Sequence, residues 1–150
     1  MRNDSEFPDL WKNDTIDLEK SRAVAKKIRA KNKNCYSNAW KALTELRHND
    51  GLDGLYVEGW CAGPLMVAQH GWVELPNRTT GYTIIDPTPI YHQEPERRKY
   101  FPARTYTAWE VSNLLGERSF FPLNEDFRTV VLSDNMIEVY LLATAWLDSA

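Results

Sequence analysis

The chain has 150 residues, a net charge of -3 and 43% hydrophobic residues, with six Trp, seven Tyr and five Phe. That size and apolar content support one core without disulfide or metal staples, so a single domain over 1–150 is expected, and disordered, collagen-like and solenoid classes are excluded. The slightly acidic balance gives no global case for nucleic acid, and two cysteines are too few for a secreted disulfide scaffold.

Asp14-Thr15 is placed to cap a first helix that carries Ile16, Leu18, Ala23, Val24 and Ile28 and ends near Lys31, a stretch with neither Gly nor Pro. Lys20, Arg22, Lys26, Lys27, Arg29, Lys31 and Lys33 follow one another without an intervening acid. They lack the interleaved aromatics that stack bases, so a solvated helix face is expected rather than a nucleic-acid surface. A second helix is expected to start at Asn34-Cys35 and run to about His48, with Tyr36, Ala39, Trp40, Leu43 and Leu46 at spacings of three and four. Asn49-Asp50-Gly51 then stops it.

The period changes after that helix. Residues 55–60 (Leu-Tyr-Val-Glu-Gly-Trp) read as a strand, 61–65 as a turn, 67–75 as a second strand and 82–86 as a third. Residues 76–81 are turn chemistry, which makes the second and third strands an antiparallel hairpin. Residues 87–104 hold Pro87, Pro89, Pro95 and Pro102 and a charged cluster at 94–99, and are expected to form a long loop of the kind that often carries function. Residues 107–115 form a short helix ending at Gly116, Pro122 lies in a further loop, and Ser133-Asp134 caps a closing helix with Met136, Ile137, Tyr140, Leu141, Ala145 and Leu147. The predicted class is α+β: N-terminal helices packed on a small antiparallel sheet, then a C-terminal helix. The longest nearly apolar stretch, 139–147, is about half the ~20 residues of a membrane span. The first fourteen residues lack the basic-then-apolar pattern of a signal peptide, so a cytoplasmic protein without a membrane span is expected.

With two cysteines (Cys35, Cys61) and three histidines (His48, His70, His92), the nucleophile and base options can be enumerated. Cys35 stands at a predicted helix start, where free backbone N–H groups and the positive end of the helix dipole favour a thiolate. His70 stands in a predicted strand, and Asp86 ends the next one. A turn centred near 77–79 makes opposed residues sum to about 156, which sets His70 across from Asp86. A carboxylate there fixes the imidazole tautomer and leaves the other ring nitrogen for a thiol, so Cys35, His70 and Asp86 form a candidate triad. Cys61, His48 and His92 have no evident partner. Cys35, Cys61, His70 and Asp86 lack the close paired spacing of structural zinc modules, so no metal or cofactor is expected, and a Cys35–Cys61 disulfide is not expected in a reducing compartment.

Four segments carry a resemblance: Asn34-Cys35-Tyr36-Ser37-Asn38-Ala39, Tyr56-Val57-Glu58-Gly59-Trp60, His70-Gly71-Trp72-Val73-Glu74 and Ile85-Asp86-Pro87-Thr88. Over roughly 34–102 the chain resembles the papain-like fold in its transglutaminase-like form. Members often have a small residue and Trp after the histidine, and Asp-Pro-Thr after the following strand. It looks similar to small bacterial or phage-encoded proteins of that type. The segment Lys31-Asn32-Lys33-Asn34 differs from the Gly-rich, Gln-containing approach of papain itself, so the candidate oxyanion donors are the Cys35 backbone N–H and the side chains of Asn34 or Asn32.

The resemblance implies a cysteine-dependent acyl-transfer enzyme acting on a peptide or protein amide: peptidase, amidase, deamidase or transglutaminase. Glu58, on a strand that flanks the site, bonds a substrate, braces the third strand or is simply exposed, with the last two favoured. Trp60 and Trp72 wall an acyl pocket or fill the core. The competing function is a catalytically idle member of the fold that binds or inhibits a protein partner through its long loop and basic helix. A membrane partner is not expected, nucleic acid is not favoured, and the oligomeric state is open.

Overall fold

The computed structural model describes residues 16–64, 66–78, 81–117, 121–124 and 134–148, with the backbone only for 134–138. The expected capping residues Asp14, Thr15 and Ser133 and the turn residues Leu65, Thr79 and Thr80 lie outside the described residues.

Helix α1, Leu18–Ile28, is capped by Asp17, whose side chain accepts from the Lys20 backbone N–H at 2.9 Å. The cap therefore lies two residues beyond the expected Asp14-Thr15. Ile16 is not helical: it forms a bridge with Ile84, and Asp17 N–H donates to the Ile84 carbonyl at 3.0 Å. The helix ends where Arg29 turns left-handed (φ 55°), three residues short of the expected end near Lys31. Val24 and Ala25 are buried while Arg22, Lys26, Lys27 and Arg29 are exposed, as a solvated basic face requires. Helix α2, Cys35–Asp50, ends at Gly51, whose φ of 64° suits glycine and lets its N–H reach the Leu46 carbonyl.

Four strands follow in the spatial order β3-β2-β1-β4: β1, Leu55–Ala62; β2, Val67–Asn77; β3, Gly81–Ile85; and β4, Lys99–Tyr106. All ladders between them are antiparallel. Three expectations are corrected here. Cys61 and Ala62 continue β1 instead of opening a turn. Residues 99–106 are a fourth strand instead of the end of a loop; Pro102 is tolerated because β4 is an edge strand, where it pairs with Gly59 beside a register shift. In the β2–β3 hairpin, Val73 pairs with Ile85 and Asn77 with Gly81, so opposed residues sum to 158, not 156. Continuing that register sets position 86 level with Trp72, with His70 one diagonal step away on the same face.

The segment between β3 and β4 holds two short 3-10 turns, Pro89–His92 and Pro95–Arg97. Helix α3, Ala108–Glu117, opens with a capping box in which Thr107 N–H donates to Glu110 Oε1 (3.0 Å) and Glu110 N–H donates to Thr107 Oγ1 (3.2 Å). Helix α4, Asp134–Asp148, sets Val139, Ala143 and Trp146, spaced four and three apart, against Trp60, Ala62 and Phe101. Val24, Ala39, Leu43 and Leu46 pack against Tyr56, Val73, Leu75 and Ile85. Each fully buried Leu among them contributes roughly 1.5–3 kcal/mol relative to exposure. Val57, Cys61, Trp72, Ile84 and Tyr100 make a third cluster, and the pairs Val57/Trp72 and Cys61/Tyr100 are register partners on one face. Among the described residues no helix is long and apolar enough to cross a membrane.

Candidate active site

Along β2, β3 pairs with Val73–Asn77, the C-terminal part of that eleven-residue strand. Beyond Ile85 the chain leaves the ladder as Asp86-Pro87-Thr88, and this departure brings Asp86 beside the stretch of β2 that carries His70, which pairs with β1 but not with β3. His70 Nε2 donates to Asp86 Oδ2 at 2.7 Å, with both side chains fully buried.

Asp86 is fixed from every side. Its backbone N–H donates to Ser21 Oγ on α1 (3.0 Å), and its carbonyl accepts from His92 Nε2 (2.6 Å). Oδ1 accepts from the Thr88 N–H (3.0 Å), and Oδ2 accepts a second bond from the Tyr100 hydroxyl (2.6 Å). Burial, and then the Asp86 charge, push the Tyr100 hydroxyl well above its ordinary value, so it stays a neutral donor. His92, expected to lack a partner, thus has one in the Asp86 carbonyl.

The His70 ring lies between aromatics: Tyr91 stacks on it at 3.7 Å and 16°, and Trp72 flanks it at 5.9 Å and 26°. Burial works against a charged imidazole, but the Asp86 carboxylate, by charge and by its hydrogen bond, outweighs it and raises the His70 pKa from 6.5 to about 9. Cys35 adds to the rise by its proximity and charge. Nδ1, the ring nitrogen that Asp86 does not hold, is buried and has no hydrogen-bond partner.

Cys35 is half-buried as the first residue of α2. The close approach of α2 to β2 requires Gly71, where an added Cβ would sit 2.8 Å from Tyr36 Cδ1. Asn38, buried one turn into α2, donates through Nδ2 to the Lys31 carbonyl (2.7 Å) and to Thr88 Oγ1 (3.1 Å). It thereby ties the approach to Cys35 to the turn that carries Asp86. The Asn34 side chain is exposed and makes no capping hydrogen bond, whereas Asn32 Oδ1 accepts from Ile90 N–H at 2.9 Å and pins the 89–92 turn.

Three further expected residues lie elsewhere. Glu58 is fully buried and accepts from the Tyr56 hydroxyl (2.6 Å), Leu123 N–H (2.7 Å) and Asn124 N–H (2.6 Å), so it holds the 123–124 segment rather than bracing the third strand as expected. Trp60 packs on α4, 4.9 Å from Tyr140, and Trp72 is fully buried with its indole N–H on Glu74 Oε1 (3.3 Å); both are core side chains, not walls of an open pocket. Cys61 is buried, and desolvation pushes its thiol far up, so it is held neutral. His48 is exposed at the end of α2. Among the described residues no cluster of three His, Cys, Asp or Glu could hold a metal.

Sequence reasoning missed Tyr91, Tyr100, Ser21 and Asn38. Tyr100 had a usable signal, because Tyr100, Phe101, Thr105 and Tyr106 are β-favouring residues around a single Pro. Ser21 and Asn38 had none beyond being polar positions on otherwise buried helix faces. The chain matches no protein-family model, no curated protein and no solved structure.

Proposed function

We propose that the protein is a cysteine-dependent acyl-transfer enzyme of transglutaminase-like, papain-like type that acts on a peptide or protein amide. The observation that carries this reading is the buried His70, bonded through Nε2 to Asp86 while its Nδ1 is buried with no hydrogen-bond partner. A histidine buried only for packing gains nothing from leaving one nitrogen unsatisfied. Here that nitrogen remains available to Cys35, which lies close enough to raise the His70 pKa, the order needed to move a proton between sulfur and a leaving group.

In the proposed cycle Cys35 and His70 react as a thiolate–imidazolium pair with the proton already on Nδ1, and the sulfur forms a bond to the carbonyl carbon while the π pair moves to oxygen. The Cys35 backbone N–H and the Asn34 side chain, which makes no capping hydrogen bond, are the candidate donors to that oxyanion. Collapse breaks the C–N bond, and the amine leaves with the proton from Nδ1. Water, deprotonated by His70, or an incoming amine then breaks the thioester and restores the thiol. Asp86 holds the ring and balances its positive charge throughout.

Iodoacetamide labelling between about pH 5 and 7 tests the reading. Early alkylation of Cys35 in the wild type, lost in His70→Ala, is expected. Equal, slow labelling of both, with the profile of a free thiol near 8.5, would falsify it.

A further inference from the structure

The approach to Cys35 is cationic to a degree the rest of the chain is not. Between positions 20 and 44 stand Lys20, Arg22, Lys26, Lys27, Arg29, Lys31, Lys33 and Lys41 with no Asp or Glu, in a protein whose net charge is -3. Three of these, Arg29, Lys31 and Lys33, lie on the connection from α1 to α2, and all three are exposed. Lys33 is two residues from Cys35, so their Cα atoms are within about 7 Å. Lys31 is held close as well: its carbonyl accepts from Asn34 N–H (3.1 Å) and from Asn38 Nδ2 (2.7 Å), bending the connection back onto the first turn of α2. Asn32 anchors the same stretch to the turn carrying Tyr91.

The charges opposite do not cancel this rim. Across the site, Arg98 lies 4.9 Å from the Tyr91 ring centroid, and Glu94 is taken up by Arg97 at 3.0 Å. Glu96 is the remaining exposed acid of that turn. Asp86 faces inward, on His70 and Tyr100. The first turn of α2 contains no acidic residue, and its free N–H groups add to the positive potential.

We infer that Arg29, Lys31 and Lys33 make the site selective for acyl substrates flanked by carboxylates, an acidic peptide segment in particular. The inference rests on the proposed function and names its substrate class. Cations near a half-buried nucleophile raise the local concentration of anionic partners and lower that of cationic ones, with little effect on neutral reagents.

Paired alkylation by iodoacetate and iodoacetamide, small reagents of equal reactivity class and different charge, tests this on the intact chain. At about 10 mM salt, Cys35 is expected to favour iodoacetate relative to a free cysteine standard. The double variant Lys31→Gln/Lys33→Gln should lose about four-fold of that preference, roughly two-fold per cation at ~10 Å in water, and ~0.5 M salt should remove most of it. Taking the ratio of the two rates at one pH cancels any change in the thiolate fraction, which affects both reagents alike. The double variant Arg22→Gln/Lys26→Gln on α1 should leave the ratio as in the wild type. An electrophilic peptide with an Asp/Glu flank should outpace its Lys-flanked counterpart in the wild type, with the gap closing in Lys31→Gln/Lys33→Gln. Rapid iodoacetamide labelling with the same charge preference in wild type and double variant overturns the inference and spares the proposed function. Slow labelling by both reagents removes the two together. Protection of Cys35 by a single-stranded RNA oligomer, with no effect of the acidic peptide, also overturns it.

Discussion

Tyr100 and His70 meet on a single oxygen: the phenol donates to Asp86 Oδ2 at 2.6 Å and the imidazole Nε2 to the same atom at 2.7 Å. Two donors on one carboxylate oxygen compete for its charge, so Tyr100 moderates the hold that Asp86 has on the ring. In Tyr100→Phe, Asp86 Oδ2 turns wholly to His70, and the imidazolium is favoured further. By NMR titration in a Cys35→Ala background, the His70 pKa should rise by roughly half a unit to one unit, while stability falls by about 1–2 kcal/mol. A fall in stability with an unmoved or lowered titration would show that Tyr100 is a packing residue.

The raised His70 pKa also has a thermodynamic signature. Its folded value of about 9 lies above the ordinary 6.5, so its contribution to stability is fully present below about pH 6.5 and is lost as pH rises through 9. The loss should be on the order of 3 kcal/mol. Urea unfolding of Cys35→Ala and of Cys35→Ala/Asp86→Asn at pH 6 and pH 9.5 measures it, the first showing the fall and the second most of it abolished. Parallel pH dependence in both proteins would assign the effect to other groups.

Gly71→Ala tests the contact between α2 and β2. The new methyl would press on Tyr36 Cδ1 at 2.8 Å and stand 3.3 Å from the Cα of Tyr36, the residue after Cys35. The first turn of α2 must shift, with an expected cost of about 1–3 kcal/mol and slower alkylation of Cys35. Gly116→Ala, with nothing within 4 Å of the added Cβ, should gain up to ~1 kcal/mol and leave alkylation unchanged. Equal labelling rates in the two variants would mean that the thiol does not depend on this packing.

Glu58→Gln turns an acceptor for three donors into a group with an N–H₂ end facing at least one of them. A stability loss of about 2–4 kcal/mol is expected, with faster amide exchange at Leu123 and Asn124. Unchanged exchange at those two amides would mean that the carboxylate does not hold their segment.

The parts of this arrangement legible in the sequence were those with a local cause. Cys35 at a helix start follows from the spacing of Tyr36, Ala39, Leu43 and Leu46, and the helix stop from Gly51. The neighbourhood of His70 and Asp86 was legible even though the register was two residues off, because a shift of two preserves the face on which a side chain lies. A shift of one would have separated them. What was not legible depends on distant segments closing around the pair. Tyr100 reaches Asp86 because β4 lies beside β1 rather than beside β3, and sheet order is not written in strand periodicity. Tyr91 covers His70 because a turn of 3-10 helix follows Asp86 in a segment whose prolines suggested an unstructured loop. The basic run was expected to be solvated, and Arg22, Lys26, Lys27, Arg29, Lys31 and Lys33 are exposed; what was not legible is that Asn38 holds Lys31 against the first turn of α2.

Asn38 has the widest reach of these side chains. By gripping Lys31 on one side and Thr88 on the other, it fastens the entrance to α2 onto the turn that fixes Asp86. Cys35 and Asp86, fifty-one residues apart in the chain, are thereby joined outside the sheet. A displacement of Lys31 has a route to Asp86, through Asn38 and Thr88, that does not cross a strand.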